Sequence, residues 1–179
     1  YYAEPYDVAD SPVYEDLYVV GEAADLGGKH WLVRYAPSIG ASFSGLPDQY
    51  QLVAGEDARA RSIAIDVDGN IYVGGKAADA SSVDHWIIRK SENRGFSWTT
   101  IDDFQLDSSG NAEVYDLLVA KDGNVYASGY GADSSGFYHW IVRRSTDGTS
   151  FTTVDNYVDP YPSLSHRNIA YSMAEDSVG

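Results

Sequence analysis

Apolar and polar positions alternate along this chain in short runs, which clusters of Gly, Ser, Asp and Asn separate. SIAIDV at 62–67 alternates into an Asp-Gly-Asn turn, and IYVGGKA at 71–77 follows it. Period-two alternation predicts β-strands, and Asp-Gly predicts a hairpin, here a type I′ turn with positive φ at both central residues. HWIIRK at 85–90 and FSWTTIDDF at 96–104 complete a set of four predicted strands. No stretch keeps helical periodicity, so we expect almost no helix.

The same four-strand pattern occurs three times. LYVVGEAAD at 17–25, IYVGGKAAD at 71–79 and VYASGYGAD at 125–133 begin 54 residues apart, and each precedes a His-Trp pair. An even period of this length is typical of repeat architectures, and four strands per unit is the size of a propeller blade. The sequence therefore predicts an all-β propeller within one repeat domain spanning 1–179. We expect blades at about 6–60, 61–114 and 115–169, and the first strand of a fourth blade at 170–179.

Three blades do not close a ring, and an open end leaves apolar sheet faces uncovered. We therefore expect further blades of the same parent chain, or self-association in which copies complete the ring. The chain also begins with Tyr rather than Met and ends inside a repeat. Both ends indicate a processed chain or a fragment of a longer protein.

Short turn motifs connect the predicted third and fourth strands. SENRGFSW at 91–98 resembles an Asp-box, the S-x-D-x-G-x-x-W turn of bacterial neuraminidase repeats, with Asn at the usual Asp position. STDGTSF at 145–151 is a shortened version, and SIGASF at 38–43 keeps only the Ser, Gly and aromatic positions. The resemblance implies a hairpin turn within a propeller blade, in enzymes and non-enzymes alike. The structural turn residues it implies are Ser91, Asn93, Gly95, Trp98, Ser145, Asp147, Gly148 and Phe151.

The charge and composition of the chain exclude several classes of protein. The net charge is -15 with a pI near 4.3, and no basic stripe is present, so nucleic acid is not an expected partner. No apolar run is long enough for a membrane span. The absence of cysteine excludes disulfides and zinc thiolate sites. Abundant Tyr, Ser, Gly and Asp with little Lys favour an exported bacterial protein, which is secreted, periplasmic or on the cell surface. DGNIYV at 68–73 also resembles a bacterial propeller repeat found in secreted and surface proteins.

Histidines recur at one position of each repeat. Symmetry copies could hold a metal if they converged on the axis, but third-strand positions lie away from it. We therefore predict structural histidines whose rings bond a neighbouring turn. The predicted partners are Asp25, Asp79 or Asp133 for His30, His85 and His139. In DVDGN at 66–70 the Gly comes too early for a calcium loop of the EF-hand type, so a hairpin turn is favoured. No cofactor is predicted, and any calcium would be adventitious.

Arginines recur in the same strand, at Arg34, Arg89 and Arg143. Sialidases hold a carboxylate with three arginines, so the resemblance to neuraminidase repeats raises that role. Symmetry copies do not converge in this way, and we predict Arg–Asp pairing within or between blades instead. No F/Y-R-I-P motif is present, and no Tyr–Glu nucleophile pair is evident. Sialidase activity is therefore not expected of this chain.

Positions that differ between the repeats are the best candidates for function. They precede the three histidines or follow the predicted second strand, and they are Lys29, Asp84, Tyr138, Glu22, Lys76 and Tyr130. We predict a non-catalytic scaffold or protein-interaction module, with no catalytic residues. One alternative is a glycan-binding propeller, in which exposed aromatic rings stack on sugars. The other is a fragment of a sialidase-like glycoside hydrolase, which requires a pair of carboxylates.

Overall fold

The computed structural model describes residues 2–43, 45–160 and 167–176. Within these residues, twelve strands form three antiparallel sheets of four, each ordered as in the sequence. The all-β fold is thus confirmed, and we call the sheets blades 1, 2 and 3. The strands of the three blades in chain order are β1 (Tyr2–Asp10), β2 (Leu17–Asp25), β3 (Gly28–Ala36), β4 (Gly45–Tyr50), β5 (Ala58–Ile65), β6 (Ile71–Ala78), β7 (Asp84–Ser91), β8 (Thr99–Phe104), β9 (Ala112–Val119), β10 (Val125–Ala132), β11 (Tyr138–Ser145) and β12 (Thr152–Tyr157).

The first strand of each blade begins a few residues before the predicted boundary, at Tyr2, Ala58 and Ala112. Each of these strands contains a β-bulge, so pairing with the second strand continues on the far side of it. The predicted strand at 170–179 differs from the structure, because residues 170–176 form no strand. Residues 161–166 and 177–179, which hold part of the third inter-blade loop and the end of that strand, lie outside the described residues.

The first-to-second strand hairpin of blade 2 differs from the predicted type I′ turn. Gly69 has φ 85°, but Asp68 is not among the residues with positive φ. The Gly69 N–H donates to the Asp66 carbonyl at 3.0 Å, and the Asp66 N–H donates to the Asn70 carbonyl at 3.0 Å. The turn therefore has a single residue, Gly69, in the left-handed conformation, and the hairpin accommodates one extra residue as a β-bulge. The Asp66 carboxylate accepts the Asn70 N–H at 2.8 Å, so it stabilises the turn.

The hydrophobic core lies between the blades rather than within one of them. Val20 and Trp31 of blade 1 belong to one cluster with Val73 and Ile87 of blade 2. Trp86 of blade 2 belongs to a second cluster, with apolar residues of blade 3. Alternate residues of a strand point to opposite faces, so one face of blade 2 packs on blade 1 and the other on blade 3. Each blade is therefore stabilised by its neighbours.

Backbone amides also connect successive first strands. The Ile63 N–H donates to Asp7 Oδ2 at 2.9 Å, and the Leu117 N–H donates to Ser62 Oγ at 3.2 Å. The Met173 N–H, beyond blade 3, donates to Asp116 Oδ2 at 2.6 Å. Residues 170–176 therefore lie where the first strand of a next blade would begin, although they form no strand.

Candidate functional site

The bulges place one residue of each first strand outside the regular pairing. The register shifts at Tyr6 in β1, Arg61 in β5 and Tyr115 in β9. The Arg61 guanidinium lies 4.8 Å from the centroid of the Tyr6 ring and 5.0 Å from that of Tyr115. The Tyr171 ring packs edge-on against Tyr115 at 5.1 Å. These four residues form a row of planar groups across the blades, which we call the axial ladder.

The axial ladder lies on the inner side of the molecule. β1 contacts β5, and β5 contacts β9, so the first strands are the inner strands of the blades. Tyr6, Arg61 and Tyr115 lie near the middle of these strands. The turns that join each second strand to its third, at 25–28, 78–84 and 132–138, lie at the end where the first strands begin. We call this end the axial end.

A charged network lies beside the ladder. Arg59 Nε donates to Glu22 Oε2 at 2.7 Å, and Arg61 Nε donates to Glu113 Oε1 at 2.8 Å. Arg59 Nη1 lies 3.9 Å from the same oxygen of Glu113, so the network connects all three blades. Glu22 is 2% exposed and Glu113 is 3% exposed. Both buried carboxylates are thus neutralised by arginine, as burial of charge requires.

The protonation state of Glu22 follows from these contacts. Burial raises its pKa, but the hydrogen bonds from Arg59 and from the Tyr2 hydroxyl outweigh burial and leave a lowered pKa. The Tyr2 hydroxyl donates to Glu22 Oε1 at 2.8 Å. Glu22 is therefore an ionised, fully engaged carboxylate, which does not suit a proton donor near neutral pH.

The six positions that vary between repeats lie at the axial end and form three pairs. Lys29 Nζ lies 3.7 Å from Glu22 Oε1 in blade 1, and Lys76 Nζ lies 2.5 Å from Asp84 Oδ2 in blade 2. The members predicted to follow the second strands lie within β2, β6 and β10 instead. In blade 3 the rings of Tyr130 and Tyr138 stack at 4.3 Å, with 3° between their planes. Equivalent positions thus carry two ion pairs and one aromatic pair.

The histidine predictions are confirmed for His30 and His139, whereas the hydrogen bond of His85 goes to Asp103 of β8 at 2.6 Å. His30 Nε2 lies 2.9 Å from Asp25 Oδ1, and His139 Nε2 lies 3.3 Å from Asp133 Oδ2. His85 Nε2 lies 3.7 Å from Asp79 Oδ2. Each ring therefore contacts the turn that precedes its own strand. Among the described residues, no group of three or more His, Asp or Glu side chains is arranged to hold a metal ion.

The arginine prediction is confirmed in two blades and wrong in the first. Arg89 Nε donates to Asp48 Oδ2 at 2.8 Å, and Arg143 Nε donates to Asp102 Oδ2 at 2.7 Å, in each case across a blade junction. Burial raises the pKa of both aspartates and outweighs the opposite effect of the arginines. Arg34 donates instead to the Phe43 carbonyl, because no blade with an aspartate precedes it in the described chain.

Sequence reasoning missed the ladder and the Tyr–Glu contacts. The Tyr6 hydroxyl donates to Glu4 Oε2 at 2.8 Å, next to the Tyr2–Glu22 contact. Residues at 4 and 6 look like alternate positions of an exposed strand, and only the bulge brings Tyr6 to Arg61. An alignment of the three first strands, with Tyr6, Arg61 and Tyr115 in one column, is the signal that could have identified them.

The comparisons with known proteins support the architecture. No protein-family model matches the chain, and no curated protein matches it. A protein of unknown function from Dyadobacter fermentans DSM 18053 is similar in structure, with a TM-score of 0.56 and 17% identity over 83% of this chain and 48% of that one. The Hadza microbial sialidase Hz136 has a TM-score of 0.66 and 11% identity over 85% of this chain and 37% of that one. This chain has a propeller fold. It spans less than half the length of either protein.

The turn of blade 2 that resembles an Asp-box lies between β7 and β8, where the resemblance implied. Ser91 Oγ accepts the Gly95 N–H at 2.8 Å, and Asn93 Oδ1 accepts the Ser97 N–H at 2.9 Å. Trp98 Nε1 donates to the Gly95 carbonyl at 3.0 Å, and Gly95 has φ 85°. Side chains and backbone of the turn satisfy one another, which agrees with a structural role.

No helix within the described ranges is long and apolar enough to cross a membrane.

The turn of blade 3 allows a test at acid pH. Asp147 Oδ1 accepts the Ser150 and Thr149 N–H groups at 2.8 Å each, and these bonds lower the pKa of Asp147. Its stabilising effect is present above its unfolded pKa of about 4 and is lost as the pH falls below that value. We expect Asp147→Asn to lose little stability at pH 7, because Asn93 accepts a backbone N–H in the corresponding turn of blade 2. Because asparagine does not titrate, the variant should also show a smaller drop in unfolding midpoint between pH 7 and pH 3.

Thermal unfolding followed by circular dichroism at both pH values measures this difference. Asp155→Asn is the matched control, because this exposed carboxylate accepts no backbone amide within the described residues. An Asp147→Asn protein with the same acid sensitivity as the natural chain would contradict the assignment.

Proposed function

We propose that this chain is a non-catalytic segment of a propeller in an exported bacterial protein, and that its axial end recognises another protein. The observation that carries the proposal is the difference between the three equivalent pairs. Lys29–Glu22, Lys76–Asp84 and Tyr138–Tyr130 occupy the same place in each blade and present different chemistry. A surface that does not repeat suits a single extended partner better than three identical small-molecule sites.

Exposed aromatic rings near these pairs support recognition. Tyr171 is 63% exposed and Tyr2 is 42% exposed. Tyrosine presents a rigid ring and a polar hydroxyl, and it is enriched at protein interfaces. The paired charges around these rings hold a fixed pattern that a complementary partner can match.

The proposal is tested by site-specific photo-crosslinking in cells or culture fractions that contain the protein. A crosslinker at Tyr138 should yield a discrete adduct with another protein. The same crosslinker at Tyr14, an exposed tyrosine in the turn between β1 and β2 at the opposite end, should yield none. Equal crosslinking from both positions, or none from Tyr138, would contradict recognition at the axial end.

Glycan binding is the first alternative, because the exposed Tyr171 ring can stack on a sugar. A glycan array at low micromolar protein distinguishes glycan recognition from protein recognition. We expect no specific glycan. Binding to one glycan that Tyr171→Ala abolishes and Tyr14→Ala preserves would assign carbohydrate recognition to the surface around Tyr171.

A glycoside hydrolase is the second alternative, and one observation favours it. The Tyr6 hydroxyl bonds Glu4, and the Arg59 and Arg61 guanidinium groups lie 5.6 Å and 4.8 Å from the Tyr6 ring. Against it, burial and the Glu4 hydrogen bond raise the pKa of Tyr6 to about 12, which opposes a tyrosine nucleophile at neutral pH. We expect no turnover of a fluorogenic sialoside. Turnover that Tyr6→Phe abolishes would overturn the non-catalytic proposal.

A further inference from the structure

The two blade junctions share one electrostatic contact. Arg89 and Arg143, each on the third strand of its blade, bind the aspartate on the fourth strand of the preceding blade through two nitrogens. The Arg143 distances are 2.7 and 2.8 Å to Asp102, and the Arg89 distances are 2.8 and 3.2 Å to Asp48. Bidentate geometry of this kind fixes both the distance and the angle between the two blades.

Arg34 is the equivalent residue of blade 1. It donates to the Phe43 carbonyl of its own blade, as Arg143 donates to the Phe151 carbonyl at 3.1 Å. Within the described residues no carboxylate pairs with Arg34, and its side chain is exposed. Blade 1 thus holds half of the contact that joins the other blades.

The sheet face around Arg34 is apolar and uncovered. Val8 is 55% exposed, whereas the equivalent Ile63 and Leu117 are 5% and 6% exposed in their junctions. Val19 and Leu32 are only partly buried on the same face. Together with Ala3, Pro5 and Phe43, these two residues and Arg34 line a groove of about 310 Å³. Glu4 and Glu22 also line the groove, but Glu22 is bound to Arg59, and an uncovered apolar face beside an arginine without a carboxylate partner marks an interaction surface.

The other end of the described chain disfavours a second copy as the occupant. Blade 3 would have to dock on blade 1 of that copy, and Asp155 does hold the register position of Asp102. However, Ala170 N–H donates to the Gly129 carbonyl at 3.1 Å, and Met173 N–H binds Asp116. Residues 170–176 therefore fill the space that β1 of a copy would need.

We propose that this face of blade 1 docks one further β-blade of the same repeat type, which presents an aspartate on its fourth strand to Arg34. The apolar third strand of that blade covers Val8, Val19 and Leu32, as Trp31 and Val33 of blade 1 cover the equivalent face of blade 2. The two existing junctions show which contacts such a blade would make, since each combines an apolar face with one buried Arg–Asp pair.

The test extends the full chain with a blade whose aspartate is known. Residues 58–110, which are blade 2 and its following loop, are placed directly before Tyr2. The added copy of Asp102 then faces Arg34. We expect one cooperative unfolding transition at a higher temperature than that of the natural chain. Arg34→Gln should lower this midpoint by on the order of 10 °C and leave the natural chain unchanged.

The Arg–Asp contact itself is tested by a double-mutant cycle. Asp102→Asn in the added blade should lower the midpoint as Arg34→Gln does, and the two substitutions together should add little. An equal effect of Arg34→Gln in the extended and natural chains would overturn the proposal. So would an added blade that stays sensitive to protease while the natural part keeps its own transition.

Sedimentation of the natural chain tests whether a second copy of this chain occupies the face instead of a further blade. We expect no concentration-dependent dimer. A dimer that Arg34→Gln dissociates would assign this face to a second copy, with residues 170–176 displaced, and would overturn the proposal in that form.

Discussion

Trp86→Ala is expected to lower the free energy of unfolding by about 3–5 kcal/mol, which is the range for truncating a fully buried large aromatic residue. Trp86 is 0% exposed, and it packs between blades 2 and 3 with an edge-on contact to Phe104 at 6.1 Å. Alanine would leave a cavity at the centre of a junction, where neither sheet can collapse without losing its pairing. The loss is expected to be a large part of the stability of a domain of this size.

Trp140→Ala is the matched control, because Trp140 occupies the same repeat position and is 39% exposed. Its loss should be less than half that of Trp86→Ala, since part of its surface is already in water. Urea unfolding of both variants measures the difference. Equal losses would show that the tryptophan stabilises its own blade and that the junction contributes little.

Asp102→Ala is expected to lower the free energy of unfolding by a similar amount, about 3–5 kcal/mol. The substitution leaves the Arg143 guanidinium buried without its carboxylate, although Thr153 and the Phe151 carbonyl still accept from it. Burial raises the pKa of Asp102, so the ionised carboxylate depends on Arg143 for its stability. The large effect therefore reflects an uncompensated charge.

The double substitution Asp102→Leu with Arg143→Met separates the stabilisation by the ion pair itself from the cost of leaving one charge unpaired. It removes both charges and keeps apolar volume, so its loss should be much smaller than that of Asp102→Ala. Urea unfolding at pH 7 provides the measurement. A double variant as unstable as Asp102→Ala would mean that the ion pair itself, rather than the charge left unpaired, stabilises the junction.

The strands and the positions of their turns could be predicted from the sequence because their signals are local. Alternation of apolar and polar residues predicted the strands, and the hydrogen bonds of His30 and His139 with Asp25 and Asp133 followed from the short distance along the chain. His85 instead bonds Asp103, which is distant in sequence and could not be predicted in this way. The partners of Arg89 and Arg143 could be predicted by type, since a buried arginine needs a carboxylate. Arg34 broke the pattern because, within the described residues, no preceding blade supplies a fourth-strand aspartate to it.

The axial ladder could not be predicted in the same way. Tyr6, Arg61 and Tyr115 stack only because a bulge in each first strand takes one residue out of the pairing. Bulges shift the register by one residue, and a one-residue shift moves a side chain to the other face of the sheet. The contacts of the ladder also depend on how the blades pack, which no single repeat specifies. The type I′ prediction at Asp68 failed for a related reason, because an Asp-Gly pair also suits a bulged turn.

The amide contacts between successive first strands have a consequence for how such a chain can evolve. Asp7, Ser62 and Asp116 each accept a backbone N–H from beyond the next junction, and the donors belong to Ile63, Leu117 and Met173. Every residue except proline supplies such a donor, so the contact places almost no demand on the identity of the incoming residue. A duplicated unit can therefore make this contact whatever residue stands at the donor position, so only the apolar and Arg–Asp contacts of the junction constrain its sequence.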